Sequence, residues 1–295
     1  MTKHFIDISV VSAKDLNYIV DLGLKIKKNP ELYYDKLKHK NMILLLEKNS
    51  TRTRVSFEFA MKELGGDVCI LNSNSTQISR GESIEDTAKV FDRYADCIVF
   101  RTSAHDRILQ MSDNCSKSAV VNALTDESHP CQIMADIMTI IEQFGSISGK
   151  KIAWIGDVNN VLKSWIAAAG KFDFTINVCC PLELSAKIPN SLKASFIQDK
   201  FKAVEKCDVV TTDTWVSMGE DKAKIKIFDN FTVDKNLMNF AKKDAIFLHC
   251  LPAYREYEVS SDVLDDEKYS KIVFNEAENR LHIQKAILMW CLNII

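Results

Sequence analysis

Short apolar runs alternate with amphipathic stretches along the whole chain. Residues 42–46 form an apolar run typical of a buried strand, and the next segment repeats apolar positions at helical spacing until Gly65. Because this alternation recurs throughout, it indicates mainly parallel sheets whose strands are connected by helices. Further strands are predicted at residues 68–71, 98–101, 119–122, 152–155, 174–180, 207–212, 245–249 and 272–275. The pattern therefore predicts the α/β fold class.

Polar residues, proline and glycine predict where several helices begin and end. Ser83, with Asp86 three residues later, is typical of a capping box at the start of a helix. Pro130 suits the first position of a helix whose apolar stripe continues to Gly145. A turn at Gly156 is predicted to precede another helix that reaches residue 169. Further helical stretches are predicted at residues 195–206, 234–242 and 277–295.

The length of the chain predicts two domains. At roughly 150 residues per domain, 295 residues are enough for two hydrophobic cores. The helix that ends near Gly145 separates two groups of predicted strands, and a second sheet begins at residue 152. We assign residues 1–145 plus 277–295 to the first domain and residues 146–276 to the second. In this assignment the C-terminal helix returns to the first domain.

Composition narrows the class of protein. Hydrophobic residues make up 46% and charged residues 26%, as in folded globular chains and unlike disordered or collagen-like ones. The formal net charge is −2 and no long basic run occurs, so we predict no nucleic-acid partner. The longest apolar run, residues 286–292, is far shorter than the ~20 residues that a membrane span needs. Because the first residues also lack the features of a signal peptide, we expect a cytoplasmic protein.

The cysteines give no sign of a metal site. The chain has nine, scattered through apolar segments, and none of them shows the paired Cys/His spacing of a zinc site. We therefore expect most of them to be buried, reduced thiols, without a disulfide framework and without a metal.

The segment between the strand at 42–46 and the next helix is rich in anion-binding groups. Unpaired backbone N–H groups and the positive end of a helix dipole collect at such a position. Hydroxyl and guanidinium groups there can bond several oxygens of one phosphate. An ordinary helix cap with two solvated arginines is the alternative. The residues of this segment are Ser50, Thr51, Arg52, Thr53 and Arg54.

A second helix start carries His129 and Gln132. Pro130 is predicted to begin that helix, which puts both side chains at the helix N-terminus. A neutral histidine there can donate to a carbonyl oxygen, because the helix dipole lowers its pKa. A capping role for His129 is the alternative, and Cys131 between them is expected to be a packing residue.

Three further segments follow predicted strands, at the sheet edge where open α/β sheets bind ligands. Cys250 offers a thiol there, or else fills space at a strand end. Asp213 offers a carboxylate for an amino group and precedes a Ser-Met-Gly loop, although a plain surface loop is the alternative. The turn GDVNN, residues 156–160, lacks the GxGxxG pattern, which disfavours a dinucleotide.

In their order and spacing, the motifs STRTR, HPCQ, GDVNN, DTWVSMG, HCLPA and FNEAENR resemble those of the ornithine carbamoyltransferase family within the aspartate/ornithine carbamoyltransferases. The resemblance runs from Asn41 to the last helix. It implies a two-domain α/β fold in which the first domain binds carbamoyl phosphate and the second binds L-ornithine. It also implies a homotrimer, a role in arginine biosynthesis, and no metal or organic cofactor.

The resemblance assigns roles to individual residues, with Arg101, His129 and Cys250 as the catalytic ones. Gln77 matches a loop that in the family reaches a neighbouring active site. The α-carboxylate of ornithine would be held by Asn160, Ser217 and Met218, and its α-ammonium by Asp213. The residues expected to bind carbamoyl phosphate are Ser50, Thr51, Arg52, Thr53, Gln77, Arg101, His129, Gln132, Cys250, Leu251 and Arg280.

The chemistry implied is attack of the neutral δ-amine on the carbamoyl carbon. Preorganised donors would stabilise the charge that develops on the carbonyl oxygen while phosphate leaves. A phosphate oxygen is expected to accept the proton of the amine, because no dedicated base stands beside Cys250 in the sequence. The same site serves the synthesis and the breakdown of citrulline.

Two positions leave alternatives open. Val158 stands where the family usually has glycine, and a β-branched residue resists positive φ. The turn before Asn160 therefore either takes a different path or holds Val158 in extended conformation without consequence. Arg80, in the loop after Gln77, either aids anion binding or is solvated.

The same residues bear on alternative functions. An aspartate enzyme would need an arginine in the segment that Cys250 and Ala253 occupy, and putrescine lacks the α-groups that Asp213 is suited to meet. N-acylated ornithine is a further alternative substrate. A non-catalytic phosphate or amino-acid sensor on the same fold would be expected to lose some of the residues Arg52, Arg101, His129 and Arg280, all of which are present.

Overall fold

Strands and helices alternate along the chain, as the apolar pattern predicts. The computed structural model describes residues 2–48, 50–216 and 220–294. The strands are β1 Asn41–Leu46, β2 Asp67–Asn72, β3 Cys97–Arg101, β4 Ala119–Leu124, β5 Lys151–Ile155, β6 Thr175–Cys179, β7 Ala194–Phe196, β8 Val209–Thr212 and β9 Ile246–His249. The helices are α1 Ala13–Lys28, α2 Thr51–Glu63, α3 Ile84–Phe91, α4 His105–Asp113, α5 Pro130–Phe144, α6 Asn160–Phe172, α7 Lys200–Val204, α8 Lys235–Met238, α9 Ser261–Leu264 and α10 Glu267–Cys291. The α/β class is confirmed.

The chain divides into two compact units. The first comprises Met1–Met138 together with Asn279–Ile295, and the second comprises Thr139–Glu278. Both boundaries fall inside helices, one within α5 and the other within α10. Each unit is built on one sheet.

The first unit has a parallel sheet with the strand order β2-β1-β3-β4. Its two central strands, β1 and β3, are almost completely buried, and the order of the strands reverses between them. The segment before α1 extends the sheet, because Phe5 forms a bridge to Val121 of β4. Ligands of open α/β sheets bind at such a reversal, beyond the carboxyl ends of the strands.

The second unit has a parallel sheet with the strand order β7-β6-β5-β8-β9. Here the order reverses between β5 and β8. Trp154 of β5 and Phe247 of β9 are fully buried in this unit. The loops that follow β5, β8 and β9 therefore leave the sheet at its carboxyl edge, and those after β5 and β8 lie next to the reversal.

The predicted helix starts are confirmed by their hydrogen bonds. Ser83 caps α3, because its side chain accepts from the N–H of Asp86. Ser50 caps α2 in the same way by accepting from the N–H of Thr53. Pro130 is the first residue of α5, and Gly145 follows the helix with a φ of +75°. This φ lies in the left-handed region that glycine adopts without strain.

The last helix packs on the first unit, as the pattern predicts. The indole N–H of Trp290 on α10 donates to Asp15 of α1. The ammonium of Lys27 on α1 donates to Asn279 of α10 over 2.7 Å. A Cβ added at Gly23 of α1 would lie 3.1 Å from Ile283 of α10, so α1 and α10 approach closely there.

The predicted strand at residues 272–275 is wrong, because this segment is part of α10. Its apolar side chains resemble a buried strand, but burial in the structure follows helical spacing. Tyr269, Val273 and Glu276 are buried while Phe274 is 58% exposed. The helix therefore begins ten residues before the predicted start at 277, at Glu267.

The predicted helix at residues 195–206 is also partly wrong. Ala194–Phe196 is the edge strand β7, and only Lys200–Val204 is helical. Asp199 explains the division, because it caps α7 with a backbone in extended conformation and so ends any helix that would run through it. The predicted helix at 234–242 is shorter in the structure, at Lys235–Met238.

All nine cysteines are free thiols. Seven are buried, Cys69 is exposed and Cys250 is half-buried. Burial raises the pKa of all seven buried thiols, for example that of Cys131 to about 12, so these side chains are unreactive packing groups. Among the described helices, none is long and apolar enough to cross a membrane.

Candidate active site

The hydroxyl-rich start of α2 lies against Arg101 at the end of β3. Leu46 of β1 pairs in register with Arg101, so the chain after β1 and the arginine leave the sheet side by side. One guanidinium nitrogen of Arg101, Nη1, donates to Ser50 Oγ over 3.0 Å and to Thr53 Oγ1 over 3.1 Å. The sheet register thus brings a cation to the N-terminus of a helix, where anions bind favourably.

Arg280 joins the same cluster from α10. Its Nη2 donates to Thr53 Oγ1 over 3.0 Å, and the side chain is only 4% exposed. Thr53 is fully buried and accepts from two guanidinium groups. Two positive charges therefore converge on one hydroxyl at the helix start.

The other residues of the STRTR segment differ in exposure. Thr51 and Arg54 are exposed, whereas Arg52 is half-buried in the first turn of α2. The two arginines thus lie in different environments, although they are only two residues apart.

His129 lies buried at the start of α5, close to these cations. Burial lowers the pKa of His129 well below its usual value, and the charges of Arg280 and Arg101 lower it further. The imidazole is therefore neutral at physiological pH. Gln132, one turn into the helix, is also buried, and its Nε2 donates to Asp136 Oδ1 over 2.7 Å. This contact fixes the orientation of the Gln132 amide.

In the second unit, Asp213 and Cys250 emerge side by side. Thr212 of β8 pairs in register with His249 of β9, so the residues after them leave the sheet together. The thiol of Cys250 donates to Asp213 Oδ1 over 3.1 Å. The other carboxylate oxygen, Oδ2, accepts from Asn159 Nδ2 over 2.8 Å. A buried carboxylate is thus held on both oxygens.

The turn after Cys250 is fixed by a buried pair, His249 and Glu258. His249 Nδ1 accepts from the N–H of Leu251, so that ring nitrogen carries no proton. Nε2 then carries the proton and faces Glu258 Oε1 at 3.3 Å. Glu258 also accepts from the N–H of Tyr254. These contacts hold Leu251 at a φ of +55°, which is costly for a residue with a side chain.

Asp213, His249 and Cys250 each offer an atom within 4.8 Å of the others, a spacing compatible with a metal ion. The donor set does not suit one, because both nitrogens of His249 already take part in the hydrogen bonds of the turn. Nε2 is protonated, and a metal ligand must be the unprotonated nitrogen. We assign no metal to this cluster.

The turn between β5 and α6 holds Val158 without a positive φ. Val158 is buried and is not among the described residues with positive φ, so its β-branched side chain causes no strain there. Gly156 alone in the turn has a positive φ, +133°. Burial raises the pKa of the neighbouring Asp157, although Lys224 lies 2.7 Å from its carboxylate.

The other predicted residues differ in exposure, and two of them lie outside the described part of the chain. Asn160 is the half-buried first residue of α6, and it is Asn159 that bonds to Asp213. Gln77 and Arg80 are both exposed, in a short helical turn of the first unit. Ser217 and Met218 lie outside the described residues.

Sequence reasoning missed Asn159, His249 and Glu258 as parts of the site. A signal existed for Asn159, because asparagine directly before a helix is a preferred cap. No local pattern links His249 to Glu258, because their contact depends on how the turn folds back.

Comparison with protein families assigns both parts of the chain. Residues 3–142 match the family model described as "Aspartate/ornithine carbamoyltransferase, carbamoyl-P binding domain". Residues 148–291 match the one described as "Aspartate/ornithine carbamoyltransferase, Asp/Orn binding domain".

Individual relatives match along almost the whole chain. The ornithine carbamoyltransferase of Mesorhizobium japonicum is 43% identical, with 98% of each chain covered. That of Brucella suis is 45% identical, covering 98% of this chain and 96% of its own. Among solved structures, the ornithine carbamoyltransferase of Pyrococcus furiosus has a TM-score of 0.91 at 36% identity, covering 100% of this chain and 98% of its own. The chain belongs to the aspartate/ornithine carbamoyltransferase family.

Proposed function

We propose that this protein transfers the carbamoyl group of carbamoyl phosphate to the δ-amine of L-ornithine, giving L-citrulline and phosphate. Residues 1–145 plus 277–295 bind carbamoyl phosphate in this proposal, and residues 146–276 bind ornithine. The names of the relatives and of the two matched family models support the reaction and its substrates.

The observation that carries the proposal is the convergence of Arg101 and Arg280 on Thr53 at the start of α2. Two guanidinium groups, the hydroxyls of Ser50 and Thr53 and the N-terminus of a helix form a site for a small dianion. Thr51 and Arg52, from the same helical turn, complete the phosphate-binding set that we propose. Gln77 of a neighbouring subunit adds to it.

The carbamoyl group requires different contacts from the phosphate. We assign polarisation of its carbonyl oxygen to Arg101, His129 and Thr53. Because its pKa is lowered, His129 is neutral and acts as a hydrogen-bond donor without adding a full charge. Gln132, together with Cys250 and Leu251, contacts the carbamoyl amino group in this proposal.

The reaction forms one C–N bond and breaks one C–O bond. The neutral δ-amine attacks the carbamoyl carbon, and charge develops on the carbonyl oxygen, which the donors above stabilise. Phosphate then leaves with the electron pair of the C–O bond, and one of its oxygens takes the proton of the amine. No metal or organic cofactor takes part in this scheme.

Ornithine is recognised by its α-groups. Asp213 accepts the α-ammonium, and its burial beside Cys250 supports this role, because a buried carboxylate favours a cationic partner. Asn160, Ser217 and Met218 hold the α-carboxylate in this proposal. Cys250 lies where the δ-amine approaches.

We further propose a cytoplasmic homotrimer that acts in arginine biosynthesis. An exposed apolar face in the first unit supports association between copies. Val55 and Phe59 lie one turn apart on α2 and are 43% and 49% exposed. The neighbouring strand β2 is a sheet edge and carries the exposed Cys69. Exposed apolar side chains at this position are compatible with such an interface.

Product analysis tests the substrate. Purified protein is given carbamoyl phosphate with ornithine, N-acetylornithine, aspartate or putrescine, and the carbamoylated product is identified by mass spectrometry. We expect product with ornithine alone. A protein that binds carbamoyl phosphate but carbamoylates none of the amines would be a sensor, and the proposal would be wrong.

Asp213→Asn tests the ornithine pocket. The substitution keeps the shape of the side chain and removes its charge, and a hydrogen bond to a charged group contributes roughly 1.5 to 3 kcal/mol. We expect kcat/KM for ornithine to fall about tenfold to a few hundredfold, with binding of carbamoyl phosphate to the free enzyme unchanged. If the binding of both substrates were weakened equally, Asp213 would be a structural residue.

A further inference from the structure

Asn159 connects a helix cap to the carboxylate of Asp213. Its Oδ1 accepts from the N–H groups of Val161 and Leu162, over 3.0 Å and 3.2 Å, at the start of α6. Its Nδ2 donates to Asp213 Oδ2 over 2.8 Å. Both side chains are buried, at 9% and 8% exposure. Because the helix N–H groups can only donate, they fix which end of the amide faces Asp213.

We propose that Asn159 is a positioning residue for Asp213, and that it sets the direction from which the carboxylate accepts the α-ammonium of the substrate. This inference rests on the proposed function, in which Asp213 binds that ammonium. Asn159 contacts no substrate atom in the proposal and acts only through Asp213.

The hydrogen-bond capacity of Asp213 supports this role. A carboxylate has about four acceptor positions, two on each oxygen. Cys250 takes one on Oδ1 and Asn159 takes one on Oδ2. The remaining positions point away from both donors, and a carboxylate held on both oxygens cannot rotate to follow a misplaced ligand. Asp213 therefore offers a directed site rather than only a negative charge.

The sequence around Asn159 is suited to this contact. The turn that carries it approaches β8 at Gly156, where an added Cβ would lie 3.2 Å from Thr212 Oγ1 and 3.3 Å from Trp215. Thr212 in turn donates from Oγ1 to the carbonyl of Ile155. Close packing at Gly156 and the hydrogen bond from the Thr212 hydroxyl to the backbone thus hold the turn after β5 against the end of β8. The amide of Asn159 adds a hydrogen bond from this turn to Asp213.

The two roles of Asn159 can be separated by substitution. Asn159→Ser keeps a good helix cap but is too short to bond to Asp213. Asn159→Asp also keeps the cap and replaces the donor by a like charge next to Asp213. Asp199→Ser is the matched control, because Asp199 caps α7 with the same pair of hydrogen bonds and lies in the same unit. That substitution alters a cap without altering Asp213.

Binding of L-norvaline reads the α-group pocket without the reaction, because norvaline has the carbon chain and α-groups of ornithine but no δ-amine. We expect Asn159→Ser to weaken norvaline binding and to raise the KM of ornithine at least tenfold. The affinity for carbamoyl phosphate and the Tm should stay close to those of the unaltered protein. Asp199→Ser should leave both ligands unchanged.

The pH dependence of Asn159→Asp gives an independent test. Two adjacent carboxyl groups share one proton as the pH falls, and the protonated partner then donates to Asp213 as the amide did. Norvaline binding to this variant should therefore be weakest at pH 8 and improve at least fivefold by pH 5.5. The α-ammonium and α-carboxylate of norvaline do not titrate in that range. Asn159→Ser should therefore show no such recovery of norvaline binding at low pH.

Two results would overturn the inference. Unchanged norvaline binding in Asn159→Ser would mean that the amide only caps the helix. A loss of Tm in Asn159→Ser that accounts for weaker binding of both substrates would make its role structural. If the unaltered protein forms citrulline while either result is obtained, only the positioning role fails. If it carbamoylates no amine, the proposed function fails instead.

Discussion

At the scale of single residues, Thr53 connects the two arginines of the first unit. Its hydroxyl accepts from Arg101 and from Arg280, which uses both acceptor positions of the oxygen. The hydroxyl hydrogen can therefore only be donated to a third group. In the proposed function, that third group is an oxygen atom of carbamoyl phosphate.

Arg52→Lys should weaken carbamoyl phosphate binding although the charge is kept. Arginine offers a planar pair of donors to one phosphate, and lysine cannot reproduce it. With roughly 1.5 to 3 kcal/mol lost per charged hydrogen bond, kcat/KM for carbamoyl phosphate should fall about tenfold to a hundredfold. Arg54→Lys, at the exposed position two residues on, is the control and should be neutral. Equal kinetics of both variants would remove Arg52 from the phosphate site.

His129 should make the protein less stable in mild acid. Burial and the charges of Arg280 and Arg101 hold the pKa of His129 well below 6.5, so below that pH the unfolded chain binds a proton that the folded chain does not. The free energy of unfolding should therefore decrease as the pH falls below 6.5, by up to about 1.4 kcal/mol per pH unit from His129.

Urea unfolding at pH 7.5 and pH 5 measures this loss. The His129→Gln variant should lose less stability over that range than the unaltered protein does. His39→Gln, at an exposed position, should behave like the unaltered protein. The same pH dependence in all three proteins would contradict a neutral His129.

At the scale of elements, Asp92 attaches the end of α3 to the segment that leads into β4. Its carboxylate accepts from the backbone N–H groups of Ser116, Lys117 and Ser118 and from the hydroxyl of Ser116. Burial alone would raise the pKa of Asp92, but these donors outweigh it and lower the pKa to about 2. One side chain thus satisfies three backbone N–H groups of the segment that leads into a buried strand.

Asp92→Asn should destabilise the protein by about 3 kcal/mol at pH 7, because the amide puts an N–H group opposite backbone donors. A folded pKa near 2 against 3.8 in the unfolded chain contributes about 2 kcal/mol, which is present above pH 4 and lost as the pH falls towards 2. Denaturation is measured at pH 7 and at acidic pH below 4. The difference in the free energy of unfolding between Asp92→Asn and the unaltered protein should be smaller in acid. Asp86→Asn, on the exposed face of α3, should change stability by less than about 0.5 kcal/mol.

Elements whose signals are local were predictable, and those decided by tertiary packing were not. Ser83, Pro130 and Gly145 mark helix ends through hydrogen bonds or φ values that involve only neighbouring residues. The segment 272–275 has the composition of a strand, and it is helical because Val273 and Glu276 face the core of the second unit at helical spacing. That core is not visible in the segment itself.

In the candidate site, too, features with local sequence signals were predictable and those decided by tertiary packing were not. The sequence predicts that Asp213 and Cys250 each follow a strand, and parallel strands end at one edge of a sheet. That the two strands are neighbours, with Thr212 in register with His249, is a property of the structure and explains the contact. The choice between Asn159 and Asn160 depends on the path of the turn at Gly156. That path is set by the close approach to Thr212, which no spacing in the sequence encodes.

At the scale of the whole molecule, the two units follow one plan. In each, the strand order reverses at the centre of a parallel sheet, and polar side chains lie beyond the carboxyl ends of the strands at that reversal. The first unit has cations there, on Arg101 and Arg280, whereas the second has the carboxylate of Asp213. A phosphate donor and an amino acid are therefore suited to different units of the same chain.

If copies of the chain share active sites, two inactive variants should restore activity to each other. Arg280 belongs to the cluster of its own subunit, while the exposed Gln77 is proposed to complete a neighbour's site. A mixed cyclic trimer of Gln77→Ala and Arg280→Ala chains contains one site in which both residues are intact, so random mixing should give about a quarter of the full activity.

The variants are denatured, mixed, refolded and assayed for citrulline, with each variant refolded alone as the control. Activity no higher than that of either parent, despite proven subunit exchange, would mean that each subunit completes its own site. Full activity of Gln77→Ala alone would show that the side chain of Gln77 serves no active site.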